Sequence, residues 1–251
     1  MSFYELDTNL PSNGLVYEGK IPSTVVLRNM TTSEQKKLLG SMSSASVFDR
    51  IVENCIVEPK GLKVNDLIPA DSDYLLIQLR IHSYGSEYEI MVPKCDCGHP
   101  SHKTVMNLDE LEIDELEEGY ESLLSFSLPV SEDNLEIKLI TQKEVNACNE
   151  RARKTARRNP AIDPEELAYV LRMCKTISSV NGEVLDPPSL QKYVESMHAK
   201  DNSYISHQLS KIKIGYNKTV HYECPECGEE MTFKLPMTGN FFRAYFADSE
   251  E

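Results

Sequence analysis

The sequence predicts an α+β protein: a small antiparallel sheet with a zinc-ribbon-like pair of cysteine hairpins and an inserted helical subdomain. Two observations carry this prediction. Two cysteine pairs lie far apart in the chain, and each stands between two strand-like runs, as in a β-hairpin. Helix start signals precede apolar residues at helical spacing, both before the first pair and between the two pairs.

The part of the chain up to the first hairpin, residues 1–108, is predicted to be mixed α and β. A Pro-Ser-Asn-Gly turn precedes a strand expected over residues 24–28. Thr31 and Glu34 have the spacing of a capping box, so a helix is expected to begin there. Apolar residues at helical spacing predict a second helix over residues 47–55.

A third helix is predicted to lead directly into the first cysteine pair. Asp71 and Ser72 are polar residues of the type that caps a helix at its start. Gly85 is placed to end it, because glycine adopts the left-handed conformation of many helix ends. The apolar residues between these signals have helical spacing.

Two segments separate the cysteine pairs: an acidic connection with a strand, residues 109–140, and the inserted helical subdomain, residues 141–213. The run over residues 109–122 is so rich in Asp and Glu that it predicts a solvated connection with short structure. A docking strip for a basic partner is the alternative. Thr141 and Glu144 form a second capping box, which marks the start of the helical section.

The inserted subdomain contains one basic cluster and one strong turn signal. Five cations lie between Arg151 and Arg158, near the expected end of a helix, where they favour the helix dipole. The cluster is interpreted as a solvated face, as a contact for an acidic protein surface, or as a contact for RNA or DNA. Asn181-Gly182 predicts a tight hairpin turn.

The last segment, residues 214–251, holds the second cysteine hairpin and an aromatic tail. The tail over residues 240–246 is rich in phenylalanine and tyrosine. It is expected either to pack on the domain or to insert into a partner.

The four hairpin cysteines are the candidate metal ligands. They are Cys95, Cys97, Cys224 and Cys227. The second pair has the C-x₂-C spacing of structural zinc sites, but the first pair is one residue shorter. His99 or His102 is therefore an alternative ligand, and a four-cysteine site, a site of three cysteines and one histidine, and no shared metal all stay open. The predicted cofactor is one Zn²⁺, and four protein ligands would make the site structural, with no position for water.

Composition narrows the class of protein. The net charge of −14 argues against a free-standing nucleic-acid binder. Seven cysteines, an odd number, favour metal binding or burial over disulfides, and Cys55, Cys148 and Cys174 fit small buried residues.

The sequence has no run of 18 apolar residues and no signal-peptide pattern, which predicts a cytoplasmic protein or a particle assembled in the cytoplasm. Phosphate-loop, zinc-protease and nucleophile-elbow motifs are missing, so neither an enzyme nor a small-molecule substrate is expected.

Several segments, taken in order, carry a resemblance to a known family. They are Leu10-Pro11-Ser12-Asn13-Gly14 with Tyr17, Val25-Val26-Leu27-Arg28 with Thr31-Thr32-Ser33-Glu34, Asn54-Cys55, Asp73-Tyr74-Leu75-Leu76-Ile77-Gln78-Leu79-Arg80 with Ser83-Tyr84-Gly85, the two cysteine pairs, and Leu235-Pro236 with Phe241-Phe242-Arg243. Together they resemble the baseplate hub assembly proteins of T-even-type contractile-tailed bacteriophages. The resemblance spans most of the chain and is least diagnostic over residues 110–215.

The resemblance implies a non-enzymatic protein that helps to assemble the central hub of the tail baseplate in the cytoplasm of the infected cell. Its implied partners are hub or tape-measure proteins, and it would stay in the virion as a minor hub component or leave before completion. A chaperone for the tape-measure protein is one alternative. A zinc-ribbon regulator that binds nucleic acid is another, which the acidic balance disfavours, and a zinc enzyme would need an open coordination position.

Overall fold

The computed structural model describes residues 4–40, 45–237 and 241–245, and within them the fold is α+β, as predicted. The strands form small sheets of two or three strands, in which the paired strands run antiparallel. No helix among the described residues combines the length and the apolar composition needed to cross a membrane. Hydrophobic residues collect in two main cores that lie on different parts of the chain.

The strands are short, and most of them pair with a neighbour in sequence. They are β1 (Glu5–Asn9), β2 (Thr24–Arg28), β3 (Ile56–Glu58), β4 (Glu87–Val92), β5 (His102–Asn107), β6 (Ile113–Asp114), β7 (Ser125–Ser127), β8 (Asn134–Ile137), β9 (Ile177–Val180), β10 (Gly215–Tyr216), β11 (Thr219–Glu223) and β12 (Glu230–Lys234). The sheets are β1-β2-β3, β4-β5, β7-β8-β9, β11-β12 and a two-residue pair between β6 and β10.

The helices begin close to the predicted signals. They are α1 (Thr32–Gly40), α2 (Ala45–Cys55), α3 (Pro69–Tyr84), α4 (Gln142–Arg158), α5 (Pro164–Thr176), α6 (Pro187–Ser196) and α7 (Ala199–Lys211). The capping box of α4 forms as predicted, because Thr141 accepts from the Glu144 backbone while the Glu144 carboxylate accepts from the Thr141 backbone. Short 3-10 turns supply the remaining regular structure among the described residues.

The first core gathers side chains from nearly the whole length of the chain. Its buried members include Leu10 and Leu27 near the start, Ile51 and Leu75 on α2 and α3, and Phe241 near the end. Helix α3 lies at its centre, since Leu75, Ile77 and Leu79 are all fully buried. Both cysteine hairpins also pack on this core, through Tyr88 and Ile90 of β4 and Val220 of β11.

The second core is built from one continuous stretch of chain. Its buried residues run from Leu128 to Ile205 and come from the β7-β8-β9 sheet and from α5, α6 and α7. The strands β7 and β8 precede the predicted helical subdomain in sequence, yet their side chains pack with it. The turn at Asn181-Gly182 forms, but β9 pairs with β8 across the sheet, and Val184 beyond the turn is left exposed.

The expectation that Asp71 caps the third helix is wrong. Helix α3 begins at Pro69, so Asp71 lies inside its first turn and is fully buried. Its carboxylate accepts hydrogen bonds from the Ser12 hydroxyl at 2.5 Å, from the Ser12 backbone at 3.0 Å and from the Tyr17 hydroxyl at 2.5 Å. Burial raises the pKa of Asp71, although these donors oppose the shift. The side chain thus anchors the N-terminal loop to α3.

The aromatic tail packs on the protein through Phe241 and Phe242, whereas Arg243 is exposed. Phe241 and Phe242 are buried in the first core, and the Phe241 ring meets the Tyr88 ring edge-on at 5.2 Å. Buried Arg80 of α3 donates from Nε to the Phe241 carbonyl at 2.7 Å. These two rings are therefore part of the core, whereas Asn240 and Phe246 lie outside the described residues.

The acidic connection has the short structure that was predicted. Most of its carboxylates are exposed, but Leu116 is buried and its backbone N–H donates to the Pro11 carbonyl at 2.7 Å. Strand β6 within it pairs with β10, with Ile113 opposite Tyr216. The connection is thus attached at one point to the N-terminal loop and at the other to β10.

Candidate metal centre

Two similar hairpins present the predicted cysteine pairs. In the first hairpin β4 and β5 pair in continuous register from Glu87 opposite Asn107 to Val92 opposite His102. In the second, β11 and β12 pair from Thr219 opposite Lys234 to Glu223 opposite Glu230. Each cysteine pair stands at the end of its hairpin, as the sequence predicted.

The two cysteine turns share a hydrogen-bond pattern and differ in length by one residue. In the first, Cys95 N–H donates to the His99 carbonyl at 3.0 Å, and the Gly98 N–H donates back to the Cys95 carbonyl at 3.0 Å. In the second, Cys224 N–H donates to the Glu229 carbonyl at 2.9 Å and the Gly228 N–H donates to the Cys224 carbonyl at 2.8 Å. The C-x-C pair is thus a shortened form of the C-x₂-C turn.

Glycine closes both turns because the backbone is left-handed there. Gly98 has φ of +101° and Gly228 has φ of +71°, which a residue with a β-carbon adopts at a cost. The left-handed glycine turns the chain back into the second strand of each hairpin.

The four sulfur atoms meet in one cluster, called here the cysteine cluster: Cys95, Cys97, Cys224 and Cys227. All four Sγ atoms lie within 4.8 Å of one another. Cys95 Sγ is 3.7 Å from Cys227 Sγ, and Cys97 Sγ is 3.8 Å from Cys224 Sγ. A tetrahedral ZnS₄ site with Zn–S bonds of about 2.3 Å has sulfur–sulfur edges of about 3.8 Å. A disulfide would need about 2.05 Å, so the distances fit shared coordination of a metal ion.

The local environment favours the thiolate form at Cys224. Cys95 and Cys224 are buried, whereas Cys97 and Cys227 are exposed. Burial opposes ionisation of Cys224, but the backbone N–H groups of Glu226 and Cys227 outweigh it and lower its pKa to about 7. At Cys95 the backbone N–H of Cys97 favours the thiolate, but desolvation and the neighbouring thiols raise the pKa to about 12. A metal ion that bound all four sulfurs would therefore release protons.

The two histidines that were alternative ligands have other partners. His102 Nε2 is 2.8 Å from the Tyr222 hydroxyl and its Nδ1 is 3.1 Å from the Pro100 carbonyl oxygen. His99 Nδ1 lies 4.0 Å from a Glu226 carboxylate oxygen. The group of potential ligands contains the four cysteines without either histidine. The structure thus brings the four cysteine sulfurs together and leaves His102 directed to Tyr222, while the ligand set itself stays a prediction.

The other cysteines lie apart from the cluster. Cys55 is fully buried in the first core, where desolvation raises its pKa to about 12. Cys148 is buried and Cys174 half-buried, and both belong to the apolar packing of the helical region. Burial of Cys55 and Cys148 agrees with the sequence-based expectation that these thiols act as small apolar side chains.

Comparison with known proteins gives the family of the chain. Searches against curated proteins and against solved structures return no match. A family model described as "T4 bacteriophage base plate protein" matches residues 1–243, which is nearly all of the 251 residues. The predicted resemblance to a baseplate family is thereby confirmed, and the chain belongs to the T4 bacteriophage base plate protein family.

Proposed function

We propose that this protein is a non-enzymatic assembly factor for the hub of the phage tail baseplate, and that its cysteine cluster binds one structural Zn²⁺. Membership of the baseplate protein family supports a role with other tail proteins. The observation that carries the zinc proposal is that the four cysteine sulfurs lie within 4.8 Å of one another. The protein acts in the host cytoplasm while tails are being built.

The four-thiolate geometry supports a structural role for the metal. Four protein ligands complete a tetrahedral shell, so no position remains for a catalytic water or a substrate oxygen. The ion would join the turn at residues 95–97 to the turn at residues 224–227, each of which belongs to a hairpin packed on the first core. Metal binding would thus contribute folding free energy rather than chemistry.

Metal analysis of the purified protein tests the zinc proposal. One zinc per chain is expected by elemental analysis, and Cys224→Ser is expected to lose it. Cys174→Ser is the matched control, because it removes a thiol that lies outside the cluster. Full zinc content in Cys224→Ser, or a stoichiometry far below one in the native protein, would overturn the proposal.

Co-purification tests the assembly role. The tagged protein is expressed together with the hub and tape-measure proteins of the same phage, and a stable or transient complex with a hub protein is expected. Recovery of the tape-measure protein alone would replace the hub role with that of a tape-measure chaperone. Binding to DNA or RNA at physiological ionic strength, with no tail protein recovered, would favour the zinc-ribbon regulator instead.

A further inference from the structure

An open apolar groove lies on the helical region, far in sequence from both cysteine turns. It has a volume of about 400 Å³ and is lined by α4, α5 and α6. Helix α5 packs against both α4 and α6, whereas α4 and α6 do not pack extensively on each other. The gap between α4 and α6, with α5 as its floor, is the groove.

Most residues that line the groove are apolar. Cys148 on α4, Leu171 and Cys174 on α5 and Leu190 on α6 all line it. Leu171 and Cys148 belong to a small cluster between α4 and α5, whereas Cys174 and Leu190 pack against the second core. The groove is therefore the seam between two separate apolar clusters, and an apolar side chain placed in it would contact both.

Cations flank this seam. Arg151 and Lys175 both line the groove and are exposed. Among the described residues, neither side chain has an ion-pair or hydrogen-bond partner. Burial raises the pKa of the Cys148 thiol in the groove, Lys175, Arg172 and Arg151 oppose that rise, and Glu144 adds to it. These two cations give the groove a local positive charge on a chain whose net charge is −14.

We propose that this groove binds an acidic amphipathic helix of a partner protein. Three helices that leave an apolar gap between the outer two offer the shape that such a helix fills with residues at i, i+3 or i+4, and i+7. Carboxylates beside those apolar residues would pair with Arg151 and Lys175. The basic cluster on α4 would extend the same attraction beyond the groove. The groove is an interaction site in addition to the metal centre, and its existence does not depend on the hub role.

Site-specific photo-crosslinking in cells that produce the tail proteins tests the groove. A photo-crosslinking phenylalanine derivative replaces Ala147, an exposed residue that lines the groove. The same derivative at Arg153, exposed on α4 outside the groove, is the matched control. A cross-link from position 147 alone is expected, to a segment with net negative charge and helical spacing of apolar residues.

Several results would overturn the proposal. They are no cross-link above that of the Arg153 control, or a cross-link to a second copy of this chain, to nucleic acid, or to a basic or extended segment. The identity of the cross-linked protein separates the two proposals. A partner from outside the baseplate would contradict the hub role and leave the groove intact, whereas hub proteins that co-purify without a cross-link at 147 would contradict only the groove.

Charge reversal then tests the pairing directly. The probe is a synthetic peptide with the sequence of the cross-linked segment, and its affinity for the full chain is measured by fluorescence anisotropy. Arg151→Glu with Lys175→Glu is expected to weaken binding at least tenfold at low ionic strength. The control, Arg153→Glu with Lys192→Glu, changes net charge equally at exposed positions outside the groove. Equal weakening by both pairs would show long-range attraction alone and would contradict a site at the groove.

Discussion

The two cores of this protein differ in how far apart their residues lie along the chain. The first core takes side chains from Leu10 to Phe242, whereas the buried residues of the second core lie between Leu128 and Ile205. Contacts of the first core therefore close long loops, which costs chain entropy. The Tyr88 hydroxyl, for example, donates to the Pro236 carbonyl at 2.6 Å across 148 positions. The cysteine cluster joins two hairpins that pack on this first core. Contacts of the second core span shorter separations, such as the 45 positions between paired Leu135 and Val180.

Removal of the proposed zinc ion is expected to have the largest effect on stability, and to destabilise the first core while leaving the second core folded. Structural zinc contributes on the order of 10 kcal/mol of apparent binding free energy in small zinc-dependent domains. Chelation should therefore expose amides of α2, α3 and both hairpins, while β8, β9 and α5 keep their protection. Hydrogen exchange followed by mass spectrometry measures both regions in one sample. Simultaneous loss of protection in both regions would show a single cooperative unit and remove the distinction.

Replacement of Arg80 is expected to have the next largest effect on the free energy of unfolding, by destabilising the first core. Its guanidinium is buried and donates to the carbonyls of Gly85, Glu87 and Phe241. Arg80→Ala leaves those three acceptors without this donor, so a loss of about 4 kcal/mol in unfolding free energy is expected. Arg80→Lys should be intermediate, because an ammonium cannot reproduce the planar fork. Urea unfolding measures both variants, and a lysine variant as stable as the native protein would contradict this account.

Ile205 provides the corresponding test in the second core. The side chain is fully buried, so Ile205→Ala is expected to cost about 3 kcal/mol through lost burial and a cavity. The effect should appear as faster exchange in β8, β9 and α5, with α3 and the cysteine hairpins unchanged. Faster exchange of α3 to the same extent would mean that the two cores unfold together.

Low pH is expected to reduce the free energy of unfolding through the buried carboxylate of Glu34. Burial opposes ionisation of this carboxylate, but hydrogen bonds from Arg28 and Thr31 outweigh it and lower its pKa from 4.5 to about 2. Since the folded-state pKa is the lower one, the stabilisation is complete above pH 4.5 and is lost as pH falls toward 2. Between pH 7 and pH 3 the loss should be about 2 kcal/mol.

The glutamine variant is the control for this pH dependence. Glu34→Gln keeps the shape of the side chain and removes its titration, so its stability should change less between pH 5 and 3 than that of the native protein. Unfolding midpoints measured at several pH values give the comparison. Parallel curves for the two proteins would assign the acid sensitivity to other carboxylates.

Local signals predicted much of the fold, and long-range pairing accounts for what they missed. Thr141 and Glu144 lie three residues apart, so their capping box could be predicted from the sequence, as could the hairpins around the cysteine pairs. The pairing of Ile113 with Tyr216 could not, because two-residue strands carry no alternating pattern. Asp71 resembled a helix cap, and only its contacts with Ser12 and Tyr17 reveal a buried anchor.

The candidate metal centre could also be predicted from local sequence signals. The cysteine types and their spacing are local, and they indicate thiolate ligands without knowledge of the fold. Whether His99 or His102 joins them depends on side-chain direction, which the spacing does not define. The contact of His102 with Tyr222 joins the two hairpins across 120 positions, and it directs that ring to a partner outside the cluster. The groove between α4 and α6 could not be predicted from the sequence either, because it depends on how the helices pack against one another.

The separation of the cysteine turns also sets an order of events during synthesis. Cys227 follows Cys95 by 132 positions, so all four thiolates exist together only after the ribosome has passed residue 227. By then every residue of the second core has already been translated, since that core lies within residues 124–209. The second core can therefore fold on the nascent chain, whereas the first core cannot be completed until the second cysteine hairpin has been translated. If the cysteine cluster binds zinc as proposed, zinc supply would control the closing of the first core and leave folding of the second core unaffected.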